Sequence, residues 1–535
     1  MSSPSHISLR GFFLLLTLIL GAAILSHYVD YQLSLSTGDH GLLLYAAEAN
    51  LRGELPYHDY HYFYGPLMTY YYSLFMLVFG KSIVSVLIGQ QFLFLISGLL
   101  LYAALSLLLS PYLSFAGAIW FWVFNKEFFY TYNHIGIIAA SLAVLYCVFH
   151  YYRFGRKMSL YLGLCFCVTA GLIKLNFGFS LLACMMISAL LICKCYSRKL
   201  DGRFLASGLL AAPLAIIISN GLFILGLPFY IIKQCYQYFG NDALAGSYPS
   251  TANIIAVFLK TAQTALIKYW QTEFILVIIA IIGLANVYMI KKKQTVDFDP
   301  KQVLVVGGIL VVFYALNLHE YLISGINFRT FYSFPFFIML LFFVIGHFGK
   351  NIPRPVQITL VSMVCFIVLA QLKVNLRQQD MFRKSLFYLP VDKAKIFTGN
   401  RLPWQQTMTQ TVLYLKENLA PGELFLALPY DPLYYFLADR KSPTRQLALF
   451  KFLDVQPEQD REIIDSLKIK NVKWVLLSNR AITVEASLGM FGRDYCPLLA
   501  GYIDENYVTV ASFGVWTPAP SWAWFHGTKI LKRKY

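Results

Sequence analysis

The chain has 535 residues, of which 58% are hydrophobic and only 13% charged, and its formal net charge is +17. Such a composition excludes an all-soluble protein and points to many membrane spans joined to a smaller soluble part. The Lys and Arg residues cluster in short loops between apolar runs, a placement that orients spans in a bilayer and argues against a nucleic-acid groove.

The first apolar run, near 10–29, is long enough to span and lacks a small-residue cleavage site, so it reads as a retained first helix and not a cleaved signal. The stretch 38–66 that follows, GDHGLLLYAAEANLRGELPYHDYHYFYGP, is too polar to cross a bilayer. It carries Asp39, His40, Glu48, Arg52, Glu54, His58, Asp59 and His61, interleaved with Tyr45, Tyr57, Tyr60, Tyr62, Phe63 and Tyr64. Charged groups beside amphipathic rings suit a catalytic loop on the membrane surface, and they suit equally an interfacial aromatic belt with solvated charges. Leu67–Phe79 is apolar but short and follows Pro66, so it reads as a re-entrant or surface helix.

A bilayer core of roughly 30 Å needs about 20 helical residues. On that measure, further spans are expected near 82–109, 112–126, 134–152, 158–174, 177–195, 203–226, 270–290, 303–318, 329–348 and 355–373, eleven with the first. The basic loops at Arg153–Lys157, Lys194–Arg203, Lys291–Lys293 and Lys350–Arg354 then fall on one side, which short basic loops mark as cytoplasmic. The loops at 30–66, 126–134, 227–269 and 319–328 and the C-terminal tail fall outside. Asp297-Phe298-Asp299 matches a metal-binding Asp-x-Asp, but it follows the Lys291–Lys293 run onto the cytoplasmic side and is set aside.

From about Leu376 the texture becomes that of a soluble domain, giving a membrane domain over 1–375 and a tail over 376–535. Periodicity predicts a helix over 405–418, strands at 423–428 and 472–477 with a helix at 459–468 between them, and a further strand at 507–515. This small α/β domain has no Gly-rich phosphate loop, no metal-ligand spacing and no nucleophile elbow, so a lid or docking role is expected of it. Cys496 is the tail's lone cysteine, so the tail holds no internal disulfide; Cys193 and Cys195 read as packing.

Three stretches in this order resemble the polytopic GT-C glycosyltransferases, in particular the bacterial branch related to protein mannosyltransferases and aminoarabinose transferases. They are the first loop, GDHGLLLYAAEANLRGELPYHDY followed by YGPL, then GLIKLNFGF near the fifth span, and YLKENLAPGELFLALPYDPLYYFLADRKSPTR in the tail. Many relatives carry an acidic pair where Asp39 is followed by His40. The aminoarabinose type has Lys-Pro-Pro-Leu where this chain has Tyr64-Gly65-Pro66-Leu67, and some relatives open the fourth span with an acid where it has Asn133-His134. Glu127, seven residues before His134, is the carboxylate nearest that place.

The resemblance implies a multi-pass α-helical membrane protein of about eleven spans with an exoplasmic α/β domain, in a bacterial inner membrane. It implies transfer of a sugar from a polyprenyl-phosphate carrier to a glycan, lipid or protein acceptor at the outer, periplasmic face. That chemistry needs a base for the acceptor proton and cations for the departing phosphate. Asp39 is the expected base, with Glu127 and His134 as further catalytic candidates; as a helix N-cap, Asp39 would have a purely structural reading. Lys174, Arg329 and Arg52 are the candidates for the donor phosphate, against a reading in which span-end cations snorkel. Glu54, His58, Asp59, His61 and Tyr64 are expected to contact the acceptor. His58, Asp59 and His61 also carry metal-ligand atoms, but a lone His-Asp-x-His is weak, so no metal site is assigned and a divalent cation stays an open alternative. The rival readings are a lipid-linked oligosaccharide polymerase or ligase, a transporter or flippase, and a non-catalytic scaffold. A transporter would show repeated halves and mid-membrane charges, whereas this chain has no visible repeat and crowds its charges at one face.

Overall fold

A computed structural model describes residues 9–28, 38–124, 132–198, 202–216, 299–324, 327–348, 386–388, 390–394, 397–399, 403–485, 488–518 and 526–534, with part of 355–373. The expected span at 270–290, the loop at 227–269, Glu127, Asp297 and Lys291–Lys293 lie outside the described residues.

The membrane half is helical. Its elements are α1 (Leu9–Tyr28), α2 (Asp39–Leu51), α3 (Leu67–Phe79), α4 (Ile83–Ser106), α5 (Pro111–Phe124), α6 (Tyr132–Phe154), α7 (Lys157–Ile173), α8 (Leu175–Tyr196) and α9 (Gly202–Ile216). After the undescribed stretch, a short helical start at Pro300–Gln302 and a π turn at Val303–Gly307 lead into α10 (Gly308–Asn317), followed by α11 (His319–Ser324), a 3-10 turn at Asn327–Tyr332 and α12 (Phe334–Phe348). Among the described residues, four helical stretches are long and apolar enough to cross a membrane: Ile83–Ser106, Asn133–Phe154, Leu175–Tyr196 and Pro300–Tyr321. Shorter apolar helices accompany them, α3 included.

Large apolar side chains remain exposed on these helices, among them Phe92, Leu162, Leu190 and Leu209, giving an outward face suited to lipid. The interior is packed with aromatics: Trp122 is fully buried, and its indole N–H donates to the Phe94 carbonyl at 3.0 Å, so the ring brings no unsatisfied donor into the core. Asp299 accepts from the backbone N–H groups of Lys301 and Gln302 at 3.0 and 3.2 Å, the work of a helix cap.

The tail carries a two-stranded antiparallel hairpin, β1 (Leu386–Tyr388) with β2 (Phe397–Gly399), and a four-stranded sheet. In that sheet the order is β3 (Phe425–Leu428), β4 (Trp474–Ser478), β6 (Gly527–Arg533), β5 (Tyr507–Gly514); β3 and β4 run parallel and the remaining pairs antiparallel. Around it stand α13 (Pro403–Asn418), α14 (Leu433–Ala438), α15 (Pro457–Ile469) and α16 (Pro497–Asn506). The predicted tail helices and strands all have counterparts here; β1, β2, α14, α16 and β6 are additional. Strand β6 reads GTKILKR, too charged for a buried strand by pattern, yet it lies between β4 and β5. Its lysines are accommodated by indole rings: Lys529 lies over Trp516 at 4.2 Å and Lys532 over Trp474 at 4.9 Å, so their stems cover apolar surface while the charges meet ring faces.

Candidate active site

The site begins at a break between two helices. α7 ends at Ile173 and α8 begins at Leu175, and Lys174 between them is extended, with φ −153° and ψ 111°. Its own backbone groups stay bonded, its N–H to the Ala170 carbonyl at 2.8 Å and its carbonyl to the Phe177 N–H at 3.0 Å, so the break strands neither of them. The side chain is buried, 4% exposed, with Nζ 2.6 Å from Glu320 Oε1. The other carboxylate oxygen of Glu320 takes Arg329 Nη1 at 2.9 Å, and Asn176 Nδ2 donates to Oε1 at 2.5 Å. A buried cation and a half-buried one therefore share one carboxylate, the arrangement that makes burying such charges tolerable. The rings of Tyr64, Phe177 and Tyr332 surround the ammonium at 5.7, 5.7 and 5.8 Å, presenting negative ring faces to it.

His134 stands beside this cluster. It is buried, its Nδ1 is hydrogen-bonded to the Tyr332 hydroxyl, and its ring meets those of Phe331 and Tyr332 at 5.2 and 5.1 Å. The neighbouring Asn133 exchanges hydrogen bonds with the Tyr62 hydroxyl at 3.3 and 3.2 Å. The first loop is fixed here by Gly65, whose N–H donates to the Ile173 carbonyl at 3.0 Å. A Cβ at Gly65 would lie 2.0 Å from the Leu172 carbonyl oxygen, so only glycine lets the loop seat on the end of α7 and bring Tyr64 over Lys174.

Asp39 is the first residue of α2; Gly38 caps that helix, without a side-chain bond, so Asp39 is not its N-cap. Its Oδ1 accepts from the Tyr430 hydroxyl of the tail at 2.7 Å. Burial raises the Tyr62 phenol well above its ordinary value; the Asn133 bond opposes this and the Asp39 charge adds to it, so Asp39 is electrostatically near Tyr62. Tyr62 is in turn bonded to Asn133, which precedes His134 in α6, and the Tyr332 ring bonded to His134 lies against Lys174.

Other sequence candidates lie apart. Arg52 closes the far end of α2, about 20 Å along the helix from Asp39 at roughly 1.5 Å per residue. There its Nε and Nη2 hold Glu54 at 2.8 and 3.2 Å, and Lys441 reaches Glu54 at 2.8 Å. Burial works to raise Glu54, but Arg52 and Lys441 prevail and hold its carboxyl below the usual range. Asp59 accepts from the Leu55 N–H at 2.7 Å, closing a turn. His61 is buried with its ring against Phe63 at 4.8 Å, and burial together with Arg445 pulls it down to about 3. His58 is half-buried in the same turn. Among the described residues, no group of three or more His, Cys, Asp or Glu side chains gathers that could hold a metal ion.

Sequence reasoning passed over Glu320, Asn176 and Tyr430. Glu320 had a signal, a carboxylate in an outer loop nine positions from Arg329; Tyr430 had none, since nothing in a Leu-Pro-Tyr-Asp-Pro string points 391 positions back to Asp39.

The chain matches no protein-family model and no curated protein sequence. Its likeness is to solved structures. ArnT from Cupriavidus metallidurans, bound to undecaprenyl phosphate, superposes with a TM-score of 0.52 at 11% identity, over 98% of this chain and 98% of that one. AglB, the oligosaccharyltransferase of Archaeoglobus fulgidus in complex with an inhibitory peptide and a dolichol-phosphate, matches with a TM-score of 0.48 at 11% identity, over 92% of this chain and 73% of that one. Both are members of the GT-C superfamily. This chain has the GT-C fold. In this GT-C frame the charged cluster lies at one end of α6, where His134 sits, and the basic residues lie at the other. At that other end Arg198 binds the Tyr151 and Tyr152 carbonyls at 2.6 and 3.1 Å, near Arg153, Arg156 and Lys157.

Proposed function

We propose that the chain is an integral-membrane glycosyltransferase that moves a sugar from a polyprenyl-phosphate carrier to an acceptor hydroxyl at the outer face of a bacterial inner membrane. The observation that carries this reading is the pairing of Lys174 and Arg329 on one buried carboxylate within a GT-C fold. ArnT, which shares that fold, binds undecaprenyl phosphate, and this supports a lipid phosphate as the donor's anchor.

In this reading the Asp39 carboxylate takes the acceptor proton as the acceptor oxygen bonds to the anomeric carbon. The bond from that carbon to the phosphate oxygen breaks, and its electron pair leaves with the phosphate. Lys174 and Arg329 stabilise the charge that develops there, Lys174 as a point charge and Arg329 as a planar fork. The eleven-span topology, with the tail and the site on the outer face, belongs to the same reading. His134, hydrogen-bonded to Tyr332, orients the aromatic wall beside the phosphate. The acceptor approaches along the first loop.

The test is transfer of radiolabelled sugar from polyprenyl-phosphate donors to envelope fractions by protein purified in lipid. Wild type transfers label and a folded Asp39→Asn variant does not. Equal transfer by both removes Asp39 from the chemistry, and no transfer by wild type from any donor overturns the reading.

A further inference from the structure

Asp39 is held by the soluble domain. Tyr430 follows β3, is 6% exposed, and donates its hydroxyl to Asp39 Oδ1 at 2.7 Å. The ring is wedged edge-on between Phe450 at 5.2 Å and Phe63 at 6.1 Å, one from the tail and one from the first loop. Its backbone is fixed as well: the Tyr430 carbonyl accepts from Arg480 Nη1 at 2.9 Å. Arg480 lies 3.9 Å from Asp431, whose other oxygen accepts from Ser478 at 2.6 Å. Tyr430 thus stands on a buried polar frame built across β4 and the turn after β3.

The first loop is cut to receive it. A Cβ at Gly38 would lie 2.6 Å from the Tyr430 ring, and one at Gly41 would lie 2.3 Å from the Leu433 backbone nitrogen. Glycines at both positions let the first turn of α2 pack directly on residues 430–433. Close approach on two successive contacts, with a hydrogen bond between them, fixes where the carboxylate can point.

We propose that Tyr430 is a positioning residue for the transfer reaction, so that the C-terminal domain completes the active site by orienting the base. This inference rests on the glycosyltransferase reading above. A phenol fixed by its frame limits the rotamers of Asp39 and keeps the carboxylate turned toward the incoming hydroxyl. Loss of such orientation costs roughly 10- to 100-fold in rate without removing any group that reacts.

The experiment is steady-state transfer by Tyr430→Phe, which keeps the ring and its packing and loses only the hydroxyl, with folding checked by thermal unfolding in lipid. The expected result is a fall in kcat of about 10-fold or more while KM for donor and acceptor changes by less than about twofold, the mark of an interaction realised in the transition state. In an Asp39→Glu background, whose longer side chain has already left this geometry, adding Tyr430→Phe is expected to cost less than about twofold. An unchanged kcat in the single variant, or an equal fall in both backgrounds, overturns the positioning role while leaving the transferase reading intact. A raised acceptor KM at constant kcat also overturns it, because Tyr430 would then bind acceptor. If wild type transfers no sugar, both readings fall together.

Discussion

Lys174 Nζ meets Glu320 Oε1 at 2.6 Å across 146 positions of sequence, with both side chains buried. Glu320 also holds Arg329, so removing this carboxylate leaves two cations facing each other in a poorly hydrated site. Glu320→Ala is expected to destabilise the protein by about 3–5 kcal/mol, the cost of stranding a buried charge. Adding Lys174→Met to it should recover part of that loss. Thermal unfolding of the single and double variants in lipid measures both.

If Lys174 stabilises the departing phosphate, Lys174→Met should lower kcat/KM for the donor by roughly 100-fold or more, as removal of a preorganised oxyanion partner does. Arg52→Met is the matched control. Its guanidinium is engaged with Glu54 at the other end of α2, and less than about threefold loss is expected there. Donor titrations of the two variants separate these outcomes, and an equal loss in both would bring Arg52 into the phosphate site.

Gly65→Ala tests the seating of the first loop. The added methyl would meet the Leu172 carbonyl oxygen at 2.0 Å, which a backbone atom cannot avoid without moving the loop. Overpacking of this kind costs roughly 1–3 kcal/mol. Because the same movement takes Tyr64 off Lys174, transfer should fall by more than the stability loss alone explains, and activity assayed well below the unfolding temperature reads that difference.

The tail carries a pH dependence of its own. Burial pulls His526 down to about 4, with Asp431 opposing and Arg480 assisting, while the Tyr434 hydroxyl lies 3.0 Å from its Nε2. In the unfolded chain this imidazole titrates near 6.5. Below that pH the unfolded state therefore takes up a proton that the folded state refuses. The stability it contributes is complete above pH of about 6.5 and is lost as pH falls toward about 4, by roughly 1.4 kcal/mol per pH unit within that window. Thermal unfolding at pH 7.5 and at pH 5 should show a lower Tm at the acid value, and His526→Gln should narrow the gap. His61, pulled down to about 3, adds to the same slope and sets what remains in the variant.

Much of this could be read from residue order alone, and what could not has physical reasons. Lys174 and Arg329 were legible because a charge beside a long apolar run is costly there and therefore conspicuous. That they share Glu320 was not, since the three come from separate helices and turns whose packing no local pattern encodes. The strands β3 and β4 announced themselves as short apolar runs, but β6 hid behind Lys529, Lys532 and Arg533, because the tryptophans that accept two of those lysines lie on other segments. Arg52 was a weaker candidate than Lys174 on sequence, and only the fold shows that Glu54, two positions on, is bonded to it.

The 391 positions between Asp39 and Tyr430 also set an order in time. At about 5–20 residues per second, roughly 20–80 s of synthesis separate the loop from the tyrosine that orients it. The sheet that supports Tyr430 must wait longer still, since β6 joins it between β4 and β5 only after Gly527–Arg533 has left the ribosome. During that interval the helices can insert and the first loop can settle on α7, while its carboxylate lacks the partner that aims it. A nascent chain therefore passes its whole membrane insertion before the tail can close over Asp39, and the site is assembled last.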